Sequence, residues 1–202
     1  MPIDFDHQTR TFLGLYELEL HRFLLRYTRH PDSALDIGGQ NGYDALVIAK
    51  LTGQRVASFE MDPRAAAKMR RTFALNPQLE PQLTVVEATV GAQSDQLGID
   101  EWVYADDGFE PGLIKLDIEG GEYDALRSAE RVLTQCRPNL LIETHSREQE
   151  ALCGQLLMKY GYRPSIVHQR LLSPDFRPIP HNRWLVAGGQ PHGVPCRSCA
   201  ND

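Results

Sequence analysis

The chain has 202 residues, 42% hydrophobic and 24% charged, which suits one globular domain with a sizeable core and excludes a disordered or fibrous chain. A formal net charge of -6 and a pI near 5.6 argue against nucleic acid as a partner, because binding a phosphate backbone rests on clustered Lys and Arg. No apolar run reaches membrane-spanning length, and the start MPIDFDHQTR lacks the basic and apolar segments of a signal peptide, so a cytoplasmic protein that does not enter a membrane is expected.

In chain order, residues 9–28 place Phe12, Leu13, Tyr16, Leu20, Phe23, Leu24 and Tyr27 near a helical repeat, a leading helix that packs on the rest or covers a site. The expected division is a helical cap over residues 1–30, a main domain over 31–187 and a tail over 188–202. Ala34-Leu35-Asp36-Ile37 reads as a short strand ending in Gly38-Gly39-Gln40-Asn41-Gly42, and a helix follows with Asn41 as its cap and Ala45, Ile48 and Ala49 as its buried stripe. Strand, glycine turn and helix make the first unit of a nucleotide-binding α/β fold, where glycine lets backbone approach a ligand. A side chain at Gly38 is therefore expected to block the ligand while leaving the fold intact. The dinucleotide fingerprint is not met, because Ile37 stands where its first glycine belongs.

Arg55-Val56-Ala57-Ser58-Phe59 ends in Glu60, an acid placed to accept hydrogen bonds from two ribose hydroxyls, and Asp62-Pro63 open the next helix. The basic residues Arg64, Lys68, Arg70 and Arg71 have the spacing of that helix's solvated face. Leu83-Thr84-Val85-Val86 is a third strand ending in Glu87. Residues 91–112 are loose and polar, with Trp102, Val103 and Tyr104 as an extra edge strand. Leu113, Ile114, Leu116 and Ile118 then form an apolar run that carries Asp117, and Gly120-Gly121 breaks it before a helix that reaches Cys136.

Buried parallel strands are near-continuous apolar runs, so Asp117 and Glu119 belong at a strand's carboxyl end, where open α/β sheets bind ligands. Glu119 and Glu122 also fit a second role, as acids favoured near a helix N-terminus. Asn139-Leu140-Leu141-Ile142 ends in Glu143-Thr144-His145, and a helix over residues 147–160 follows. Ile166-Val167-His168 and Arg183-Trp184-Leu185-Val186 flank a loop containing Pro174, Pro178 and Pro180, an antiparallel pair at one edge. The alternation of strands and helices marks an α/β fold with a mostly parallel sheet. Cys196 and Cys199 form a C-x-x-C near His192, but zinc needs four ligands and no second pair accompanies them.

LDIGGQNGYDAL, FEMDP, IKLDIEGGEYDAL, LLIETH and HNRWLVA, in that order, together resemble the FkbM family of S-adenosylmethionine-dependent methyltransferases. The resemblance implies the Rossmann-like class I methyltransferase sandwich, with its antiparallel C-terminal edge hairpin, and O-methylation of a hydroxyl on a small molecule. It implies Asp36, Gly38, Gly39, Gly42, Glu60, Glu87 and Asp117 as cofactor-binding residues, with Gly38 and Gly42 near the methionine part, Glu60 on the ribose and Asp117 at the transfer site. Gln40 departs from the wider fold, where glycine is common. A sulfonium cation suits a pocket rimmed by Asp36, Glu60, Asp117 and Glu119, which would repel a pyrophosphate.

Transfer to a hydroxyl calls for a base, and His145, Asp117 and Glu143 are the candidate catalytic residues. His145 fits equally a strand-end residue bonded to backbone. Asp117, Glu143 and His145 are also candidate ligands for a divalent metal that would polarise the acceptor. Two rivals stay open: an oxidoreductase using a nucleotide cofactor, and a protein that holds the cofactor without turnover.

Overall fold

Each apolar run that ends in a polar residue becomes a strand. In a computed structural model that describes residues 17–29, 32–168 and 181–189, these are β1 (Ala34–Ile37), β2 (Val56–Glu60), β3 (Leu83–Glu87), β4 (Leu113–Leu116) and β5 (Asn139–Thr144). β1, β2, β4 and β5 are buried at every residue, the mark of central parallel strands. Adding β6 (Ser165–His168) and β7 (Arg183–Ala187) gives a seven-stranded sheet in the order β3-β2-β1-β4-β5-β7-β6. β7 runs antiparallel to both β5 and β6. The fold is therefore α/β, mostly parallel, with an antiparallel pair at one edge, as the sequence implies; the later strand of that pair lies on the inside, against β5.

Helices cover both faces. On one, α1 (His21–Tyr27, after a 3-10 turn Leu18–Leu20), α2 (Tyr43–Thr52) and α3 (Pro63–Ala74) bury Leu20, Ile48, Ala49, Met69 and Phe73 with Leu113, Leu141 and Trp184. On the other, α4 (Ile99–Val103), α5 (Glu122–Arg127) and α6 (Arg147–Lys159) pack on Leu35, Ile37, Ile114, Leu116, Leu140 and Ile142. Among the described residues no helix is long and apolar enough to cross a membrane. The first part of the leading helix, the Pro174 to Pro180 loop and the Cys196, Cys199 and His192 group lie outside the described residues.

Two local expectations are corrected. Trp102 and Val103 lie in α4 rather than in a strand. Glu101 reaches back to the Gly98 N–H at 3.3 Å, Ser128 Oγ accepts from the Ile99 N–H at 2.9 Å, and a helical turn lets Ile99 and Val103 bury together. Trp102 then stands edge-on between Phe59 and Phe109, with ring centroids 5.1 Å from each. The helix after Glu122 also does not run unbroken to Cys136. It turns at Ser128 and resumes as a π-helical turn, Val132–Cys136, because the Asp100 carboxylate accepts from the N–H groups of Arg131 and Val132 at 2.7 and 2.8 Å and caps a new start.

The glycine turn after β1 packs closely against the protein around it. Its Gly38 and Gly39 N–H groups both donate to the Phe59 carbonyl at 3.0 Å. A Cβ on Gly38, whose φ is +87°, would stand 1.8 Å from the Asp117 carbonyl oxygen, and one on Gly39 would stand 1.9 Å from Ser58 Oγ. At Gly42 the obstacles are Phe73 and Met69 of α3. The expectation that a side chain at Gly38 spares the fold is therefore wrong. We expect Gly38→Ala to lower stability by at least about 2 kcal/mol, from backbone strain and forced separation of β1 and β4. Urea unfolding measures this, and a midpoint equal to the wild type would show that the turn has room to spare.

Candidate active site

Parallel pairing sets Asp36 opposite Lys115 and Lys115 opposite Leu141. Because side chains alternate along a strand, Asp36 and Lys115, and Asp117 and Glu143 two residues further on, project from the same face of the sheet, the one carrying α1 and α2. Asp117 lies one residue past β4, its N–H donating to the Ile37 carbonyl at 2.9 Å. His145 follows β5 directly and swings toward it. The structure thus brings Asp117, Glu143 and His145 together. His145 Nε2 is 3.5 Å from Asp117 Oδ1 and 3.9 Å from Glu143 Oε1, and one donor atom from each of the three residues lies within 4.8 Å of the others.

Lys115, which the sequence does not single out, and Glu122, which it leaves open between a functional and a helix-start role, complete the cluster. Lys115 is buried, with Nζ 3.0 Å from Asp44 Oδ2, 3.9 Å from Asp117 Oδ2, 4.0 Å from Glu17 Oε1 and 5.5 Å from the centre of the Trp184 ring. A lysine inside an apolar run needs partners as much as Asp117 does, and that was the available signal. Glu122 is fully buried, and its Oε1 lies 2.7 Å from His145 Nδ1 while accepting the Gly120 N–H at 2.8 Å. A Glu just after a double glycine reads equally well as an ordinary helix-start acid, so no pattern in the sequence marks it.

The remaining predicted residues are more dispersed. Glu60 closes β2, where Oε2 accepts the Gln40 N–H and Oε1 the Asp62 N–H, both at 2.9 Å. Gln40 itself has φ +45°, a left-handed conformation that glycine adopts freely and that Gln40 holds through this bond. Asn41 accepts the Tyr43 N–H at 3.0 Å at the start of α2, although Gly42 is the residue at the cap position. Asp36 lies beneath Gly39, fully buried, accepting from Ser58 Oγ at 2.8 Å. Glu87 pairs with Glu60 in register but is exposed and spends its carboxylate on Arg70 at 3.1 Å. Glu119 is no part of a rim: it is exposed in the turn after β4, with φ +52°.

Burial is the largest single influence on each proton affinity, but it does not decide every direction. It pushes Glu143 up to about 7, helped by the neighbouring Asp117 carboxylate, and pushes Asp36 up to about 6 against the pull of Lys115. For His145 burial acts downward, but the hydrogen bond to Glu122 and the charges of Glu143 and Asp117 outweigh it and raise the ring's proton affinity. Lys115 is likewise lowered by burial and raised more by Asp44, Glu17, Asp117 and Asp36, so it stays charged. A cavity of about 230 Å³ opens beside the cluster between α1 and α2. Lys115 and Leu141 are at its base, with Leu20, Leu24, Val47 and Ile48 along it.

The raised Glu143 carboxyl has a consequence for stability. The folded chain holds its proton more tightly than the unfolded chain, so its contribution is full below about pH 4.5 and is lost as pH rises through about 7. Glu143→Gln is expected to gain stability relative to the wild type as pH increases across that window. Parallel urea titrations at several pH values check this, and a constant difference would show that burial and Asp117 do not raise the Glu143 carboxyl.

Residues 99–164 match the family model for the Methyltransferase FkbM domain. Among solved structures, the chain superposes on Methyltransferase FkbM from Methylobacillus flagellatus with a TM-score of 0.65 and 21% identity, covering 92% of this chain and 56% of that one. It thus spans little more than half of that protein. A SAM-dependent O-methyltransferase from Thermotoga maritima gives a TM-score of 0.60 at 12% identity over 88% of this chain and 67% of that one. A putative rRNA-methylase from Clostridium thermocellum gives 0.60 at 16% identity over 90% and 97%. At these identities the likenesses show the fold. No curated protein matches the chain in sequence.

Proposed function

We propose, from the match of residues 99–164 to the FkbM methyltransferase domain, that the chain transfers the methyl group of S-adenosylmethionine to a hydroxyl oxygen of a small molecule. The observation that carries this reading is the meeting of His145, Asp117 and Glu143 beside the glycine turn, at the carboxyl ends of the central strands. The donor set suits the cofactor. Asp36 Oδ1 is buried with no partner among the described residues, Glu60 keeps lone pairs beyond its two backbone bonds, and Asp117 stands across the turn. Such acceptors favour a sulfonium cation and ribose hydroxyls, and they repel the pyrophosphate that an oxidoreductase cofactor would bring.

When bound, the cofactor supplies a methyl group on a good leaving group. The chain's own part is to bind and align. Gly38, Gly39 and Gly42 form the turn that receives the methionine portion, Glu60 takes the ribose, and Glu87 flanks it from the next strand. The acceptor's apolar body enters the cavity between α1 and α2 and presents its hydroxyl to His145, the base, with Asp117 and Glu143 holding the developing imidazolium. Alignment of this kind is worth on the order of 7 kcal/mol or more. The net charge of -6 favours a small acceptor over RNA.

One observation supports a metal-assisted version of the same transfer: Asp117, Glu143 and His145 offer one oxygen or nitrogen donor each within 4.8 Å. A divalent ion there would polarise the acceptor oxygen.

The reading is tested by methyl transfer from S-adenosylmethionine to a panel of hydroxyl compounds. With any acceptor so found, Asp117→Asn should lower the rate at least about tenfold, or 1.4 kcal/mol. Stability should change less, since Asp44 still partners Lys115 at 3.0 Å and a charge beside Glu143 is removed. Loss of activity on chelation and its return with Mg²⁺ or Mn²⁺ would select the metal-assisted version. Full activity of the folded variant would return Asp117 to a structural role.

A further inference from the structure

We infer that Glu122 is a positioning residue that fixes the tautomer of His145 and so presents an unprotonated Nε2 to the transfer site. This rests on the proposed methyl transfer for its purpose, but its argument is geometric. Glu122 has no solvent exposure, and its Oε1 already receives the Gly120 N–H at 2.8 Å, which marks that oxygen as an acceptor. The same oxygen lies 2.7 Å from His145 Nδ1, so the ring nitrogen is the donor there. A buried carboxylate whose second oxygen has no partner among the described residues makes that donation costly to lose.

With the proton on Nδ1, the neutral ring carries its lone pair on Nε2. That atom is the one 3.5 Å from Asp117 and 3.9 Å from Glu143. The partner of one ring nitrogen decides which proton the other carries, and a free imidazole in water prefers the opposite arrangement, Nε2–H. The backbone explains how Glu122 arrives there. Glu119 and Gly120 both take positive φ, +52° and +107°, and this tight turn folds the start of α5 back under the end of β5. The Tyr123 N–H donates to Gln149 Oε1 of α6 at 3.0 Å, tying that turn to the helix that follows His145. Whether Nε2 accepts the acceptor's proton or ligates a metal, it needs this tautomer. The assignment therefore holds for both versions of the transfer.

The experiment is nitrogen NMR of the full chain with labelled histidine, at a pH high enough for the His145 ring to be neutral. The wild type is expected to show His145 with its proton on Nδ1. Glu122→Gln keeps a carbonyl oxygen in place and should preserve that tautomer, whereas Glu122→Leu should switch the majority form to Nε2–H in a chain that stays folded. If Glu122→Leu unfolds, the wild type and Glu122→Gln spectra still decide. An Nε2–H majority in the wild type, or loss of Nδ1–H in folded Glu122→Gln, overturns the assignment, as does an unchanged tautomer in folded Glu122→Leu. Binding of S-adenosylhomocysteine, measured on the same samples, reports separately on the methyl-transfer reading: its absence counts against that reading and leaves the tautomer result standing.

Discussion

The buried charge of Lys115 is the constraint around which the site is arranged. An ammonium in the middle strand of a mostly parallel sheet is tolerable only with anions at hand; Asp44 and Asp117 supply them, and Glu17, whose carboxyl burial pushes well up, lies 4.0 Å away on a third element. The lysine in turn makes the surrounding acids tolerable. Asp36 is held down in proton affinity by the same charge that burial works against. The turn before α1, the start of α2 and the end of β4 therefore meet on one cation, and removing it would leave several carboxylates facing one another.

Backbone packing locks this electrostatic centre in place. Gly38 passes so close to the Asp117 carbonyl that no side chain fits between them, so the turn after β1 and the end of β4 move as a unit. Gly39 lies on the Asp36–Ser58 hydrogen bond in the same way. The glycines that suggest ligand contact are needed first for contact within the protein, and the backbone they bring to the surface is a by-product of that packing. Glu60 braces the far side of the turn through Gln40, so a ligand at Glu60 would feel the position of the whole loop.

How much of this was legible in the sequence depended on the length over which each signal was written. The strands were plain because apolar runs ended on acids, and their order along the chain implied the parallel sheet. Asp117, Glu143 and His145 could be grouped because each ends a strand that neighbours another. Glu122 could not be distinguished from any acid at a helix start, because its burial depends on the +52° and +107° turn before it. Trp102 reads as strand because three bulky residues in a row look β-like, while one of the caps that make α4 comes from Ser128, far along the chain. Lys115 stands in the same apolar run as Asp117, and the need of a buried charge for partners applies to both.

On the proposed function, the carboxyl ends of β1, β2 and β4 form a cofactor site with Glu60 on the ribose. Calorimetric titration of the wild type and Glu60→Ala with S-adenosylhomocysteine tests it most directly, since it needs no knowledge of the acceptor. The expected result is saturable binding to the wild type that weakens by roughly 1 to 3 kcal/mol in a folded Glu60→Ala, the cost of leaving polar partners unmatched. An unchanged dissociation constant in the variant, or no binding to the wild type, would contradict the account.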